Sequence, residues 1–421
     1  MANGTPATAF GLAKPGNSAL GPLREPIFRA LWIAAVVSYT GTWMQNVGAG
    51  WLMASLTSSP IMVGLVQAAM SLPVFLASIL AGALADMIDR RRLLLITQTW
   101  MVIAALGLGL LTALGLTTPI VLLLFVFLMG IGNVMNDPAW QAITHEIVSE
   151  ENFASAVALN SAGFNVARAV GPALGGIVIA AWGAASAFLL NAVSFFGVML
   201  VLHGWKRRPH EDPMPGSNVK SAIKAGFVFA RQSQGMRSVL IRTAVFSVSA
   251  SALWAMLPII AQCYGSVGFG TIVTFFGLGA LVGATILPYA RRELSMNELV
   301  AGATLLYAAV TAATGYIHEF RSHCAILFIG GAAWIVIIAS LNVSAQMCSP
   351  SYLRARTLSM YLLVLQGGLA VGSSLWGVLA EKLSMPIALL IAAIALVIGL
   401  ATSGKYPLSS DQVYRAAPIE A

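Results

Sequence analysis

The chain has 421 residues, 58% of them hydrophobic and only 9% charged, with a net charge of +8. Soluble domains carry about 25% charged residues, so this composition excludes an ordinary soluble protein and leaves one that crosses the lipid bilayer many times. The basic residues stand in short runs between apolar segments rather than on one continuous face, which speaks against nucleic acid as a partner.

In chain order, residues 1–22 are rich in Gly, Pro, Ala and Thr and lack the apolar core of a signal peptide, so they read as a disordered cytoplasmic tail. Twelve apolar runs follow, at 27–56, 60–85, 93–115, 119–144, 154–182, 184–204, 238–264, 268–290, 297–317, 323–346, 356–380 and 385–403. Each is long enough to cross about 30 Å of hydrocarbon at about 1.5 Å per helical residue. One long polar segment, 205–236, interrupts them with Pro, Gly, Ser and charged residues and reads as a cytoplasmic linker. The expected fold class is an all-α membrane protein with twelve transmembrane helices in two six-helix bundles, 23–204 and 237–404, followed by a cytoplasmic tail at 405–421.

Lys and Arg set the orientation. With the N-terminus inside, 20 of the 23 fall on cytoplasmic segments, only Arg321 and Lys382 fall outside, and Arg168 lies within a span. That asymmetry puts both termini in the cytoplasm. The halves also repeat: a shift of 201 residues superposes Gly82 and Arg90-Arg91 on Gly283 and Arg291-Arg292, and Gly171-Pro-Ala-Leu-Gly-Gly176 on Gly372-Ser-Ser-Leu-Trp-Gly377. Two motifs at one offset argue for a parallel duplication with pseudo-twofold related halves. On this alignment the counterpart of the first bend keeps its basic pair and loses its acids.

The stretch Gly82-Ala-Leu-Ala-Asp86-Met-Ile-Asp89-Arg90-Arg91 resembles the GxLaDrxGrk pattern of the major facilitator superfamily, with Asp89 where that family has glycine. In the fifth run, Ala167-Arg168-Ala-Val-Gly171-Pro172-Ala-Leu-Gly175-Gly176 is similar to the GPxxGG motif of its antiporter, or exporter, branches. Asn136-Asp137-Pro138-Ala139, closing the fourth run, looks like the enterobactin-exporter and macrolide-efflux subgroup. The resemblance covers essentially the whole chain. It implies that superfamily's fold and a monomeric secondary transporter of the bacterial cytoplasmic (inner) membrane. It further implies efflux of an amphipathic small molecule, drug-like or siderophore-like, in exchange for protons by alternating access. Import by symport is the alternative within transport, and a non-transporting scaffold or receptor is the alternative outside it.

Asp86, Arg90 and Arg91 can pair and cap helix ends while Gly82 allows close packing, so the bend reads either as a latch between the halves or as a plain topology signal. Asp137 is the one acid well inside an apolar run, about 27 Å from the outer end of its helix. That depth sets it level with the bend, as a third latch member, a proton carrier or a helix-end charge reaching water. Arg168 lies near the bilayer middle on a polar stripe with Ser161, Asn165 and Pro172. It reads as an anchor for an anionic or hydrogen-bonding substrate, as a counter-charge whose partner protonates during the cycle, or as a structural arginine satisfied by backbone carbonyls. Gly171, Gly175 and Gly176 permit close helix approach and Pro172 can bend the helix; the family resemblance makes this a moving interface.

A substrate pocket is expected between the halves, from the first, fourth, seventh and tenth helices. Tyr39, Trp43 and Asn46 share a face of the first, Asn133, Asn136 and Trp140 of the fourth, and Ser247, Ser251 and Trp254 of the seventh, with Trp334 and Asn342 on the tenth. Rings interleaved with neutral hydrogen-bonding groups suit a bulky amphipathic molecule, although Trp and Tyr near span ends also serve as interfacial anchors. Cys263, Cys324 and Cys348 lack metal-ligand spacing, and none of the five histidines pairs with a buried acid at helical spacing. With no Walker loop, Rossmann fingerprint or HExxH either, no metal, cofactor, ATP drive or enzymatic activity is expected, and a proton gradient is the expected energy source.

Overall fold

The computed structural model describes residues 20–205, 228–229, 231–350 and 354–408. The N-terminal tail to residue 19, the linker from 206 to 227 and the C-terminal tail from 409 lie outside the described residues, as do the side chains of Gly82 and Asp86. The long helices are α1 (Pro26–Leu56), α2 (Pro60–Met87), α3 (Arg90–Ala113), α4 (Pro119–Ile147), α5 (Glu150–Trp182), α6 (Ala184–Gly204), α7 (Gln234–Ile260), α8 (Gly265–Glu293), α9 (Met296–Thr314), α10 (Phe320–Met347), α11 (Arg354–Lys382) and α12 (Met385–Gly399). Each apolar run lies on one of these in order. Several helices run about a turn beyond the apolar stretch, because a helix that leaves hydrocarbon keeps its backbone bonds while polar side chains meet water.

Local chemistry sets the boundaries. Pro26, Pro60 and Pro119 occupy first helical positions, where an N–H would have no partner within the helix. Asp89 caps α3 by accepting from Arg92 N at 2.9 Å, and Ser295 with Glu298 forms a capping box on α9. At φ −51°, Asp89 holds an ordinary conformation, so the loss of the family's glycine leaves this turn intact. Gly183 and Gly265 reverse the chain at φ +80° and +71°, where a side chain would be strained.

Among the described residues, ten segments are long and apolar enough to cross a membrane; α7 and α8 count there as one, and α1 is not among them. Tyr39, Thr40, Thr42, Gln45 and Asn46 occupy the middle of α1 and lower its hydropathy. Gln45 and Asn191 of α6 are bonded to each other at 2.7 Å and buried, as polar groups inside a membrane protein require.

The packing pairs repeat with a six-helix shift. α1 packs on α5 and α6, as α7 does on α11 and α12; α4 joins α2 and α3, as α10 joins α8 and α9; α3 meets α6, as α9 meets α12. Two extensive contacts tie the sets together, α2 with α11 and α5 with α8.

The offset between repeats is not uniform, and this overturns one sequence alignment. Asp89 and Ser295, which cap α3 and α9, are 206 residues apart, as are Met87 and Glu293, which end α2 and α8. Arg291 and Arg292 therefore lie in the last turn of α8, whereas Arg90 and Arg91 open α3. Their superposition at 201 is a coincidence of composition. The 201-residue offset begins after α3 and α9, with Pro119 and Phe320 starting α4 and α10. Since α3 has 24 residues and α9 has 19, the shorter α9 accounts for the change.

Candidate functional site

One end of the bundle carries the turns at 57–59, 183 and 261–265; the other carries those at 88–89, 148–149 and 294–295. They are called here the Gly183 end and the Asp89 end. Towards the Gly183 end the two helix sets are sealed by glycines. A Cβ on Gly176 of α5 would lie 2.5 Å from Ser266 O and 3.0 Å from Val267 Cα on α8, and one on Gly377 of α11 would lie 3.0 Å from Pro60 O and 2.9 Å from Ile61 Cα on α2. The facing glycines repeat the pattern, Gly270 against Pro172 O and Gly64 against Ser373 O. Within each set Gly171 meets Thr40 and Trp43 of α1, Gly175 meets Met44, and Gly372 meets Val248 and Ser251 of α7. Backbones come this close only where no side chain intervenes.

Among the described residues, the hydrogen bonds between the sets all lie at this end. Gln262 Nε2 donates to Ala54 O and Ser266 Oγ donates to Gly176 O at 3.2 Å. Ser59 Oγ and Ile61 N both donate to Glu381 Oε2, at 2.5 and 3.4 Å.

Next to the seal is a cavity of about 290 Å³, lined by residues of α1, α2, α5, α7, α8, α10 and α11. Among the described residues, Arg168 is its only charged lining residue. The guanidinium Cζ lies 5.8 Å from the Trp43 ring centroid, and no carbonyl or carboxylate among the described residues accepts from it. Among the described residues no backbone carbonyl satisfies Arg168, which favours the anchor reading over the structural one. The other helix set contributes Trp254 and Trp334, with ring centroids 6.0 Å apart, and Phe276 stands 4.8 Å from Trp254. The buried Nε1 of Trp254 has no hydrogen-bond partner. A cation stacked on an indole, spare N–H donors and a broad apolar wall can hold an anionic group together with a ring-bearing body.

Trp43, Asn46, Arg168, Trp254 and Trp334 come together at this cavity. The other expected pocket residues do not. Asn136 accepts from Thr97 Oγ1 at 3.2 Å and Gln98 Nε2 at 3.1 Å, which ties α4 to α3. Asn342 accepts from Gln346 Nε2 at 2.6 Å, one turn along α10, and Asn165 donates to Ser161 O at 2.8 Å. Tyr39 sets its ring edge-on to Phe164 at 5.4 Å, Asn133 is half-buried outside the lining, and Ser247 is buried beneath Gly368 of α11. No α4 residue lines the cavity, contrary to a pocket built from α1, α4, α7 and α10. The glycine seams draw α2 to α11 and α5 to α8, so those helices wall the cavity beside the seal while α4 packs against α2 and α3. The polar lining residues missed are Gln67, Ser71 and Gln366, for which the available signal was an amide or hydroxyl inside an otherwise apolar run.

At the Asp89 end the basic bend is bound within its own set. Arg90 Nη1 pairs with Glu146 Oε1 at 2.9 Å, and Arg91 Nε and Nη2 donate to Leu202 O and His203 O at the end of α6, at 2.9 and 2.7 Å. Gly82 and Asp86 lie in the last two turns of α2. The expected link to Asp137 is corrected here. α4 does not close at Asn136 to Ala139 but runs through Pro138 to Ile147, so Asp137 lies about 15 Å short of its end. Glu146, not Asp137, is level with Arg90. Asp137 is exposed, has no hydrogen bond or ion pair among the described residues, and lies within electrostatic reach of Tyr39.

Residues 17–418 match a family model described as transmembrane secretion effector, MFS_3. The chain is 26% identical over 268 residues to the staphyloferrin A transporter of Staphylococcus aureus, covering 62% of this chain and 66% of that one. It is 26% identical over 266 residues to the enterobactin exporter EntS of Salmonella typhi, covering 62% and 63%. The matches thus span less than two thirds of the length of these relatives. Among solved structures, a bacterial homologue of the human lysosomal transporter Spinster, inward-facing and occupied, superposes with a TM-score of 0.73 at 14% identity over 94% of this chain and 99% of that one. The nucleoside transporter NupG superposes with a TM-score of 0.72 at 13% identity, over 90% and 99%. The family match runs over nearly the whole chain, which belongs to the transmembrane secretion effector family of the major facilitator superfamily.

Proposed function

We propose that this chain exports an anionic, amphipathic small molecule of siderophore-like type by alternating access. The observation that carries the reading is Arg168, stacked on Trp43 and without a counter-ion in a cavity between two helix sets. A cation withdrawn from bulk water without a partner favours an anionic guest. A chamber sealed at one end is what one state of a two-state carrier requires. The staphyloferrin A and enterobactin transporters among the relatives support the type of cargo and, through EntS, the direction.

On this reading all twelve long helices span the bilayer, as bundles 23–204 and 237–404 joined by the cytoplasmic linker 205–236. The Asp89 end, which bears most of the Lys and Arg, faces the cytoplasm with both termini, and the described state is closed to the outside. The protein works as a monomer in the inner membrane without a bound cofactor, and protons supply the energy. Asp137, exposed and unpaired on α4, supports a proton-carrying role better than a latch.

The test is flux of catecholate- and citrate-type siderophores in membrane vesicles under an imposed pH gradient. Uptake into everted vesicles, lost in Arg168→Gln, is the expected result. Uptake into right-side-out vesicles instead establishes import, and no flux in either sinks the transport reading for these cargoes.

A further inference from the structure

The two seams beside the cavity are built from equivalent positions of the repeat, yet they present different chemistry to it. Between α2 and α8 the offset is 206 residues, which sets Gly64 on Gly270; between α5 and α11 it is 201, which sets Gly176 on Gly377. The same shifts set Gln67 on Val273, Ser71 on Gly277, Arg168 on Leu369 and Asn165 on Gln366. Arg168 and Val273 line the cavity from the α5–α8 seam; Gln67, Ser71, Leu369 and Gln366 line it from the α2–α11 seam. One seam thus offers a charge among apolar atoms. The other has leucine at the arginine's equivalent and neutral hydrogen-bonding groups around it. Helices α2 and α11 run antiparallel, since Gly64 meets Ser373 O near the seal and Phe75 meets Gly367 further on. Gln67, Ser71 and Gln366 therefore follow one another away from the seal, with Ser71 about two turns from Gly64, as Arg168 is from Gly176. A carboxamide carries two N–H donors and a carbonyl acceptor. Gln67 Nε2 donates to Ser71 Oγ at 3.2 Å, while its carbonyl has no partner among the described residues. Gln366 is half-buried and has no hydrogen bond there at either end. Asn46, the other carboxamide in the lining, stands on α1 three residues from Trp43.

We propose that Gln67 and Gln366 form a second subsite, which takes an uncharged amide or hydroxyl group of the guest while Arg168 holds its anionic group. The proposal rests on the reading above of an anionic, amphipathic cargo and narrows its class. The guest carries an anion at one end, an aromatic body against Trp254 and Trp334, and a neutral group that both donates and accepts hydrogen bonds. A guest that lacks the neutral group leaves the carboxamides unpaired against an apolar surface, which is how a polar pocket rejects an analogue. Plain aryl or alkyl carboxylates are thereby disfavoured against amide-bearing ones. Gln67 belongs to one helix set and Gln366 to the other. A guest bound to both ties α2 to α11 where the sets meet, and loses half of this subsite when they part.

The experiment compares N-benzoylglycine with 4-phenylbutanoate, which share a ring, a carboxylate and the length between them and differ by the amide. Their dissociation constants are measured by saturation-transfer NMR at millimolar concentrations, on the full-length protein in lipid nanodiscs. The unmodified chain is expected to prefer N-benzoylglycine about three- to tenfold, the range of a neutral hydrogen bond. Gln67→Met and Gln366→Met keep side-chain length and remove the amide. Each is expected to lower the preference, and the double variant to bring it below about twofold. Both probes are read on one preparation, so loss of folded protein cancels from the ratio, and the single variants carry the test where the double one does not fold. Arg168→Gln is expected to weaken both probes alike and keep the ratio. No preference in the unmodified chain, or one that survives in the Met variants, overturns the subsite, while weakening of both probes by Arg168→Gln leaves the anionic cargo standing. Binding undiminished in Arg168→Gln, or no binding of either probe to the unmodified chain, overturns both.

Discussion

Arg168 and Trp43 form a cation–π stack across α5 and α1, 5.8 Å from guanidinium carbon to ring centroid, at a spot where Gly171 admits the base of the indole. Replacing Arg168 with Gln removes the charge while keeping hydrogen-bonding groups. Substrate affinity is expected to fall roughly tenfold to a hundredfold, the size of a lost charged hydrogen bond. Trp43→Phe keeps a ring face and should cost only about two- to fivefold. Concentration dependence of transport in proteoliposomes, at matched reconstitution, measures both; equal losses in the two variants would contradict the assignment.

Gly176→Ala places a methyl 2.5 Å from Ser266 O, a backbone atom that cannot rotate away. The Gly183 end should open at a cost to its closed state of about 1–3 kcal/mol, the usual penalty for overpacking. Faster alkylation of a cysteine introduced at this end reports the shift. Gly197→Ala is the control, since a Cβ there meets nothing within 4 Å.

Arg90 and Glu146 make a partly exposed ion pair, with side-chain exposures of 37% and 11%. Such pairs contribute no more than about 1 kcal/mol. A double-mutant cycle with Arg90→Gln and Glu146→Gln, read by thermal unfolding in detergent, should return a coupling of that size. Transport should survive in both single variants, because the pair joins helices of one set and crosses no moving seam.

Asp137→Asn separates the two roles left open for this acid. If Asp137 carries the proton, the variant binds and exchanges substrate but no longer accumulates it when a pH gradient is imposed. Gradient-driven accumulation at the unmodified level in everted vesicles would remove the residue from the proton path.

Helix positions were legible in the sequence because each span must satisfy its own backbone in lipid, which makes apolar length a direct readout. Arg168, Trp43 and Trp254 were legible for a related reason: charge and indole are conspicuous inside apolar runs. Other readings failed where the answer depended on relations between helices. Asn136 carries the same polar signal as Asn46, yet it faces α3 and spends its carbonyl on Thr97 and Gln98, and nothing local to α4 states which neighbour that face meets. Asp137 was set level with the bend because its depth was counted from the outer end of its helix against about 30 Å of hydrocarbon, while α4 continues past Pro138 to Ile147. Gln67 and Ser71 were passed over since an i, i+4 amide–hydroxyl pair can satisfy itself, here at 3.2 Å, without announcing a cavity.

The five-residue shortfall of α9 against α3 bears on the bilayer itself. At about 1.5 Å per residue, a 19-residue helix is about 28 Å long and a 24-residue helix about 36 Å. The first barely matches a hydrocarbon layer of about 30 Å, and the second exceeds it enough to tilt or project. A change in membrane thickness is therefore expected to act unequally on α3 and α9, and so on the two halves of the bundle.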